Sequence, residues 1–401
     1  MKIPFSPPYI NDAVLSEVRD ALKSGWITTG PKVKQLETLV SKYTLAPNTL
    51  CVNSATSGLM LALKWYGIGN GDEVIIPAYT YAATALAVIH VGATPIMVDV
   101  ESDFNISISA IENAVTKNTK AIIPVDIAGW PCDYDEINQL VKSKRNLFSA
   151  TSEVQNKLGR VIVISDSAHS IGAKYKNQYI GTIADICVFS FHAVKNVTTA
   201  EGGALCINLP EPFNNQEVYN YLRLYSLNGQ TKDAFTKSKA GEWKYDIAFA
   251  GLKINLPDVL AAIGVAQLPE YFETILKERQ HIYEFYHKSF SKMDWAILPP
   301  FQSHNKTSSC HLYALRIKNI SESQRDNIIE KIAQDGVSVN VHFQPLPILS
   351  LFKDLGYNID NFPIAYNNFK GEISLPIYPQ LNKNQLKYIV NVVKKAVELV
   401  I

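Results

Sequence analysis

Charge of one sign is in surplus nowhere in this sequence: 38 lysines and arginines stand against 37 aspartates and glutamates in 401 residues, a net charge of +1. That balance removes the electrostatic case for binding nucleic acid or an anionic membrane. Charged residues are few, at 19%, beside 47% hydrophobic ones, which excludes a disordered or fibrous chain. Internal repeats and low-complexity tracts are missing too. The apolar stretches are strand-length, too short to span a bilayer. The opening Met1-Lys2-Ile3-Pro4-Phe5 carries one charge and runs into prolines, unlike a secretory or transit segment. A cytoplasmic protein with no membrane attachment is expected. Cysteine is scarce: Cys51, Cys132, Cys187, Cys206 and Cys310 are odd in number, widely separated and without CxxC or Cys/His ligand spacing. No disulfide framework and no metal centre is expected, and Cys187 and Cys206 read as small hydrophobes inside strands.

What the chain does have is alternation. Short β-branched runs at Thr49–Val52, Glu73–Ile76, Pro95–Val98, Ala121–Val125, Val161–Ile164, Ile186–Phe189 and Ala204–Ile207 are separated by helix-length segments. Among these, Asp12–Lys23, Val33–Tyr43, Ser57–Trp65 and Thr80–Val91 carry apolar residues at three- and four-residue spacing. This pattern predicts an α/β fold, a seven-stranded, mostly parallel sheet covered on both faces. Beyond residue 210 the pattern changes. Val259–Leu268 and Tyr271–Phe290 read as helices, and from His311 the order is strand, helix (Glu322–Gln334), short strand, strand (Glu372–Leu375) and a last helix (Asn384–Val400). Two domains are expected: a large α/β domain over 1–275 and a small C-terminal α+β domain over 276–401.

In such sheets ligands sit at the carboxyl ends of the strands, and Asp166 and Ser190 fall there. Lys195 follows in Ser190-Phe191-His192-Ala193-Val194-Lys195-Asn196. A lysine after one buried strand and an aspartate ending the one before it suit pyridoxal phosphate chemistry. The amine condenses with the aldehyde, and the carboxylate keeps the pyridine nitrogen protonated so that the ring accepts electrons. Asp166 also fits a turn cap, but His169 three residues on favours a site, and a buried carboxylate needs a cationic partner. Asn53-Ser54-Ala55-Thr56-Ser57-Gly58, between strand and helix, offers backbone N–H groups and hydroxyls to a phosphate, although Ser and Thr also make plain N-caps. Ser190 and His192 place a hydroxyl and an imidazole beside Lys195, and Glu201-Gly202-Gly203 returns the chain tightly into the next strand. Tyr81 is a candidate to stack on a flat ring, and equally a core residue.

These residues and others in the same order resemble the DegT/StrS-type sugar aminotransferases, a family of fold-type I (aspartate aminotransferase-like) pyridoxal phosphate enzymes. The resemblance runs almost the whole length. It is carried by Ser24–Pro31, Asn53–Thr56, Gly71–Ile75, Gly92–Asp99, Lys120–Val125, Asp166–His169, Ser190–Asn196, Ala261–Leu268, His311–Tyr313 and Ser374–Pro379. It is nearest to enzymes aminating nucleotide-linked 4-keto sugars, such as the UDP-4-amino-4-deoxy-L-arabinose aminotransferase. The resemblance implies that Lys195 bonds the cofactor aldehyde and Asp166 pairs with the ring nitrogen. It further implies that His169 contacts the ring or its phenolic oxygen, that Tyr81 stacks, and that Ala55, Thr56 and Ser190 bind phosphate. A polar residue of Gly251–Leu256, Lys253 or Asn255, would reach the phosphate of the other subunit, giving a homodimer with shared sites. The implied reaction passes an amino group from L-glutamate, leaving 2-oxoglutarate, through pyridoxamine phosphate to a nucleotide-linked keto sugar, 4-keto and 6-deoxy, for polysaccharide, lipopolysaccharide or glycan synthesis.

Thr29, Lys32, Arg223, His311, Tyr313 and His342 are the polar residues expected at the substrate; each also fits a surface or core place. Amination at C3 or of a cyclitol ketone stays open. The sugar 3-dehydratase branch has histidine where this chain has Lys195, and a non-catalytic regulator of DNA would need a basic recognition element that is missing. Three departures from the family pattern stand out. Ala200 replaces a usual glycine, Leu227-Asn228-Gly229 replaces a frequent His-Gly, and Ser143–Gly159 is long and polar, a surface excursion.

Overall fold

The computed structural model describes residues 1–231 and 244–401. The seven expected strands form one sheet: β1 (Asn48–Val52), β2 (Glu73–Pro77), β3 (Thr94–Val98), β4 (Thr119–Ile122), β5 (Ile162–Asp166), β6 (Ile186–Ser190) and β7 (Gly203–Ile207). Their order is β1-β7-β6-β5-β4-β2-β3, and β7 alone runs antiparallel to its neighbours. Side chains alternate strictly between two cores. Val74, Ile76, Ile162, Ile164, Ile186, Val188, Leu205 and Ile207 enter one; Ile75, Val163, Cys187, Phe189, Ala204 and Cys206 enter the other. The strands read as continuous apolar runs because both faces are covered. All five cysteines are buried and unpaired, and burial pushes their thiols up.

Helices begin where the sequence supplies caps. Asn11 accepts from the Val14 N–H to start α1 (Asp12–Lys23), and Pro31 opens α2 (Pro31–Thr44). Ser54 accepts from the Ser57 N–H at 3.1 Å to start α3 (Ala55–Trp65), and α4 spans Ala82–His90. The Ser143–Gly159 excursion lies on the surface but is ordered. Helix Glu153–Leu158 is capped by Ser152 and ended by Gly159 at φ +67°. Buried Lys120 reaches the Ser149 carbonyl at 2.6 Å, and buried Gln155 reaches the Tyr66 carbonyl at 3.1 Å.

The two expected helices after residue 258 are one rod. α5 (Asp258–Glu270) passes through a single wide turn at Tyr271–Ile275 into α6 (Leu276–Phe290). Pro269 brings no N–H to the ladder, and the wide turn follows it. This rod corrects the expectation that every apolar stretch is strand-length. Within Asp258–Phe290 an 18-residue window with mean hydropathy 1.2 makes it long and apolar enough to cross a membrane, yet half of that window is buried within the fold. Apolar composition here serves packing against α1 and α2. A third core gathers α6, the sheet β8 (Ala296–Ile297), β9 (Tyr313–Ile317), β10 (Glu372–Leu375), and helices α7 (Glu322–Gln334) and α8 (Lys383–Glu398). Ile3, from the other end of the chain, joins it by a bridge to Val337.

Candidate active site

The carboxyl ends of β5 and β6, the start of α3 and the loop after β6 converge on a cavity of about 480 Å³. Ala55, Thr56, Tyr81, Asp166, His169, Ser190, His192, Lys195, His311 and His342 all line it. Asp166 is buried at the end of β5. Its Oδ2 accepts from the Thr84 hydroxyl at 2.8 Å and its Oδ1 from the Ala168 N–H at 3.2 Å. Burial raises its pKa against those two bonds and the Lys195 charge. Lys195 is pushed the other way, down to about 8, because burial outweighs attraction to Asp166. A lysine with that pKa is still mostly protonated near neutrality, but its neutral, nucleophilic and basic fraction is far larger than that of an ordinary lysine.

Three histidines near it, His169, His311 and His342, are neutral. His169 Nδ1 accepts from the Ala128 N–H at 3.3 Å, which leaves hydrogen on Nε2. Its ring lies 4.3 Å from that of His311. His311 Nδ1 meets Asn196 Oδ1 at 2.9 Å, and Asn196 Nδ2 donates to the Tyr271 hydroxyl at 3.0 Å and the Ser309 carbonyl at 3.2 Å. A carbonyl only accepts, so the Asn196 amide has one orientation and His311 carries hydrogen on Nδ1. The two facing imidazoles are therefore opposite tautomers. Burial, then the Lys195 charge for His169 and the His169 ring for His311, hold both well below the usual imidazole range. His192 is half exposed, 3.6 Å from Glu201.

Pyridoxal phosphate fits these residues. Asp166 is a buried carboxylate whose hydrogen-bond donors are neutral, and a ring N–H carrying positive charge matches it. At Gly203 an added Cβ would lie 2.6 Å from the Ala55 nitrogen, so glycine alone lets β7 pass against the α3 start where phosphate would rest. Ala200, where glycine is usual, takes φ +63°, and its N–H donates to Thr198 Oγ1 at 2.9 Å.

Six expected residues lie elsewhere. Thr29, Arg223 and Asn255 line a separate cavity of about 540 Å³, where the Asn255 amide donates to the Thr29 hydroxyl. Lys253 is exposed on the same strip. Lys32 pairs with Glu17. Tyr313 packs in the third core, 4.8 Å from Tyr283 and 5.0 Å from Tyr286, because on β9 its side chain faces that core. Residues that sequence reasoning passed over are Thr84, Asn196, Phe5 and Phe343. Asn196 stood next to Lys195 in the sequence, whereas nothing local marked Phe5 or Phe343.

A mostly parallel sheet with a lysine and an aspartate at its carboxyl edge defines a pyridoxal-phosphate-dependent aminotransferase of fold-type I. The DegT/DnrJ/EryC1/StrS aminotransferase family matches residues 8–394, and the chain belongs to it. It is similar to the putative sugar aminotransferase Spr1654 from Streptococcus pneumoniae in its pyridoxamine phosphate form, with 44% identity, a TM-score of 0.96 and full coverage of both chains. Helicobacter pylori PseC, an aminotransferase involved in the biosynthesis of pseudoaminic acid, aligns over both whole chains at 25% identity and TM-score 0.87. The spore coat polysaccharide biosynthesis protein SpsC of Bacillus subtilis is 34% identical, covering 99% of this chain and 97% of that one.

Proposed function

We propose that this aminotransferase places an amino group on a nucleotide-linked keto sugar, 4-keto and 6-deoxy, drawing it from L-glutamate, in the building of a polysaccharide, lipopolysaccharide or other glycan. The observation carrying this is the Asp166/Lys195 pair in a cavity whose other polar walls include His169, His192, His311 and His342. The neutral imidazoles of His169, His311 and His342 donate and accept hydrogen bonds without favouring an anion, which suits sugar hydroxyls. The names of SpsC and PseC, which point to polysaccharide and amino-sugar synthesis, support the reading. Both substrates are soluble metabolites, which agrees with a cytoplasmic enzyme.

When bound, pyridoxal phosphate supplies an electron-accepting ring and alternates between its aldehyde and amine forms. The chain does the rest. Lys195 Nζ would bond the aldehyde and, when free, would move the donor's α-proton as base and acid. Asp166 keeps positive charge on the ring nitrogen. Thr56, Ser190 and the N–H groups at the α3 start would hold phosphate, and Tyr81 and His169 would contact the ring. His311 and His342 face the acceptor sugar.

We further propose a homodimer with shared sites. Asn255 opens on a cavity other than the one lined by Lys195, so its use, or that of nearby Lys253, at a cofactor phosphate requires a second copy. Thr29 and Arg223 line that same separate cavity, and with Lys32 they would serve the substrate of the partner's site. The division into domains over 1–275 and 276–401 is our reading of the separate third core. The test is incubation with L-glutamate and a panel of UDP-, dTDP- and GDP-linked keto sugars, with products read by mass and NMR. An amino sugar and 2-oxoglutarate in equal amounts are expected; turnover only with small keto acids would overturn the substrate.

A further inference from the structure

We propose that Glu372 is a proton store for His342, reached through Ser374, and that it sets whether His342 Nε2 accepts or donates a hydrogen bond in the cavity. Its use in catalysis rests on the aminotransferase reading; the chain of hydrogen bonds does not. Glu372 and Ser374 are alternate residues of β10, so their side chains leave one face together. Asn340 pairs with Ser374, which brings His342, two residues on, over that face. The Ser374 hydroxyl lies 2.5 Å from Glu372 Oε1 and 2.9 Å from His342 Nδ1, while Glu372 Oε2 accepts from the His342 N–H at 2.9 Å. Phe5 stacks on the imidazole at 5.4 Å and fixes its plane.

One hydroxyl hydrogen lies between a carboxyl and an imidazole, and this permits two arrangements. With Glu372 ionised, Ser374 donates to it and accepts from His342 Nδ1–H, so Nε2 presents a lone pair. With Glu372 protonated, the carboxyl donates to Ser374, Ser374 donates to Nδ1, and Nε2 carries hydrogen. A proton taken at Nε2 is thus matched by one passing from Nδ1 to Ser374 Oγ and one from Ser374 to Glu372 Oε1. Only N–H and O–H bonds change, and the imidazole stays neutral throughout. A ketone exchanging its oxygen for nitrogen releases that oxygen as water, so a group that lends and recovers a proton beside Lys195 has a use there.

The surroundings place the exchange in the working range. Glu372 is fully buried, and burial raises it from 4.5 to about 8 against its bonds to Ser374 and the His342 N–H. Arg325 and Arg316 pull it down less. Arg316, opposite Glu372 in register, points its Nη1 at Asn368 and lies over the Phe104 ring, and Arg325 gives Nη1 to the Phe369 carbonyl and Nε to Asp326. Tyr79, the remaining titratable neighbour, stays neutral because burial raises it well above its ordinary value. On the cavity side burial, and after it the Lys195 charge, lower His342 to about 4, so it does not take up charge itself.

The experiment is NMR of the cofactor-loaded, full-length protein labelled with ¹⁵N-histidine, with the His342 signal assigned by its loss in H342N. As pH falls through about 8, Nε2 is expected to pass from unprotonated to protonated. The switch should vanish in E372Q and in S374A. In turnover, E372Q should lose the inflection near that pH and about 10²-fold in kcat, with KM little changed. One His342 tautomer on both sides of that pH in the unaltered protein overturns the proposal, even if E372Q does not fold. A switch that persists in S374A overturns it as well. Because the signal needs no turnover, failure to aminate any sugar would sink the substrate assignment and leave this one standing.

Discussion

Lys195 shows how far single residues carry the argument. Its amine is buried at the cavity wall, and its pKa of about 8 comes from that burial, with Asp166 restoring part of the loss. When apoprotein is mixed with pyridoxal phosphate and reduced by borohydride, labelling at Lys195 should rise with pH and level off above about 8, since the lowered pKa frees the amine there. Peptide mass mapping reads the label, and labelling that is flat with pH or elsewhere in the chain would contradict the assignment. Asp166 was legible because it ends β5, and His169 and Lys195 because they follow in the loops leaving the carboxyl ends of β5 and β6, where ligands sit in such sheets. Tyr313 was not. A tyrosine on a strand faces either way, and only the partner helix α6 decides that its ring belongs in the third core. The opposed tautomers of His169 and His311 were also hidden, because Ala128, Asn196 and Ser309 lie far apart in sequence.

Among the elements, β5 and β6 are joined by a buried bidentate pair. Arg160 Nη1 and Nη2 each donate to Asp185 at 2.7 Å, and Asp185 also accepts from the Val163 N–H at 2.9 Å. Asp185→Ala leaves a buried guanidinium without its counter-charge, and unfolding should cost about 3–5 kcal/mol less. Denaturant melting checks this, and a loss under 1 kcal/mol would mean that the pair is effectively a surface one. Strand and helix limits were read within two or three residues wherever caps and alternation agreed, as at Asp12–Lys23, Glu322–Gln334 and Glu372–Leu375. The rod over Asp258–Phe290 was read as two pieces because Pro269 speaks for a break. Packing on both sides of the wide turn outweighed that local preference.

At the scale of the molecule the sheet, its order of layers and the cavity follow from a repeating strand–helix pattern, which makes fold class the most legible feature. The proposed sharing of a site between two copies is not written in that pattern, because the strip around Lys253–Asn255 says nothing of a partner. Mixing K195A with N255A is the check. Each variant alone should be nearly inactive, whereas refolded mixtures should regain a substantial part of the activity, since hybrid dimers hold one site free of both changes. Mixtures as inactive as their parents would show that each chain completes its own site.

The rod bears on both cavities at once. Asp258 at its start accepts from the Gly30, Lys32 and Val33 N–H groups and so fixes the loop carrying Thr29. Farther along, Arg279 grips the carbonyls of Cys310 and His311 at 3.1 and 2.8 Å. A tilt of this axle would swing the histidine wall of one chamber and the threonine rim of the other in a single motion.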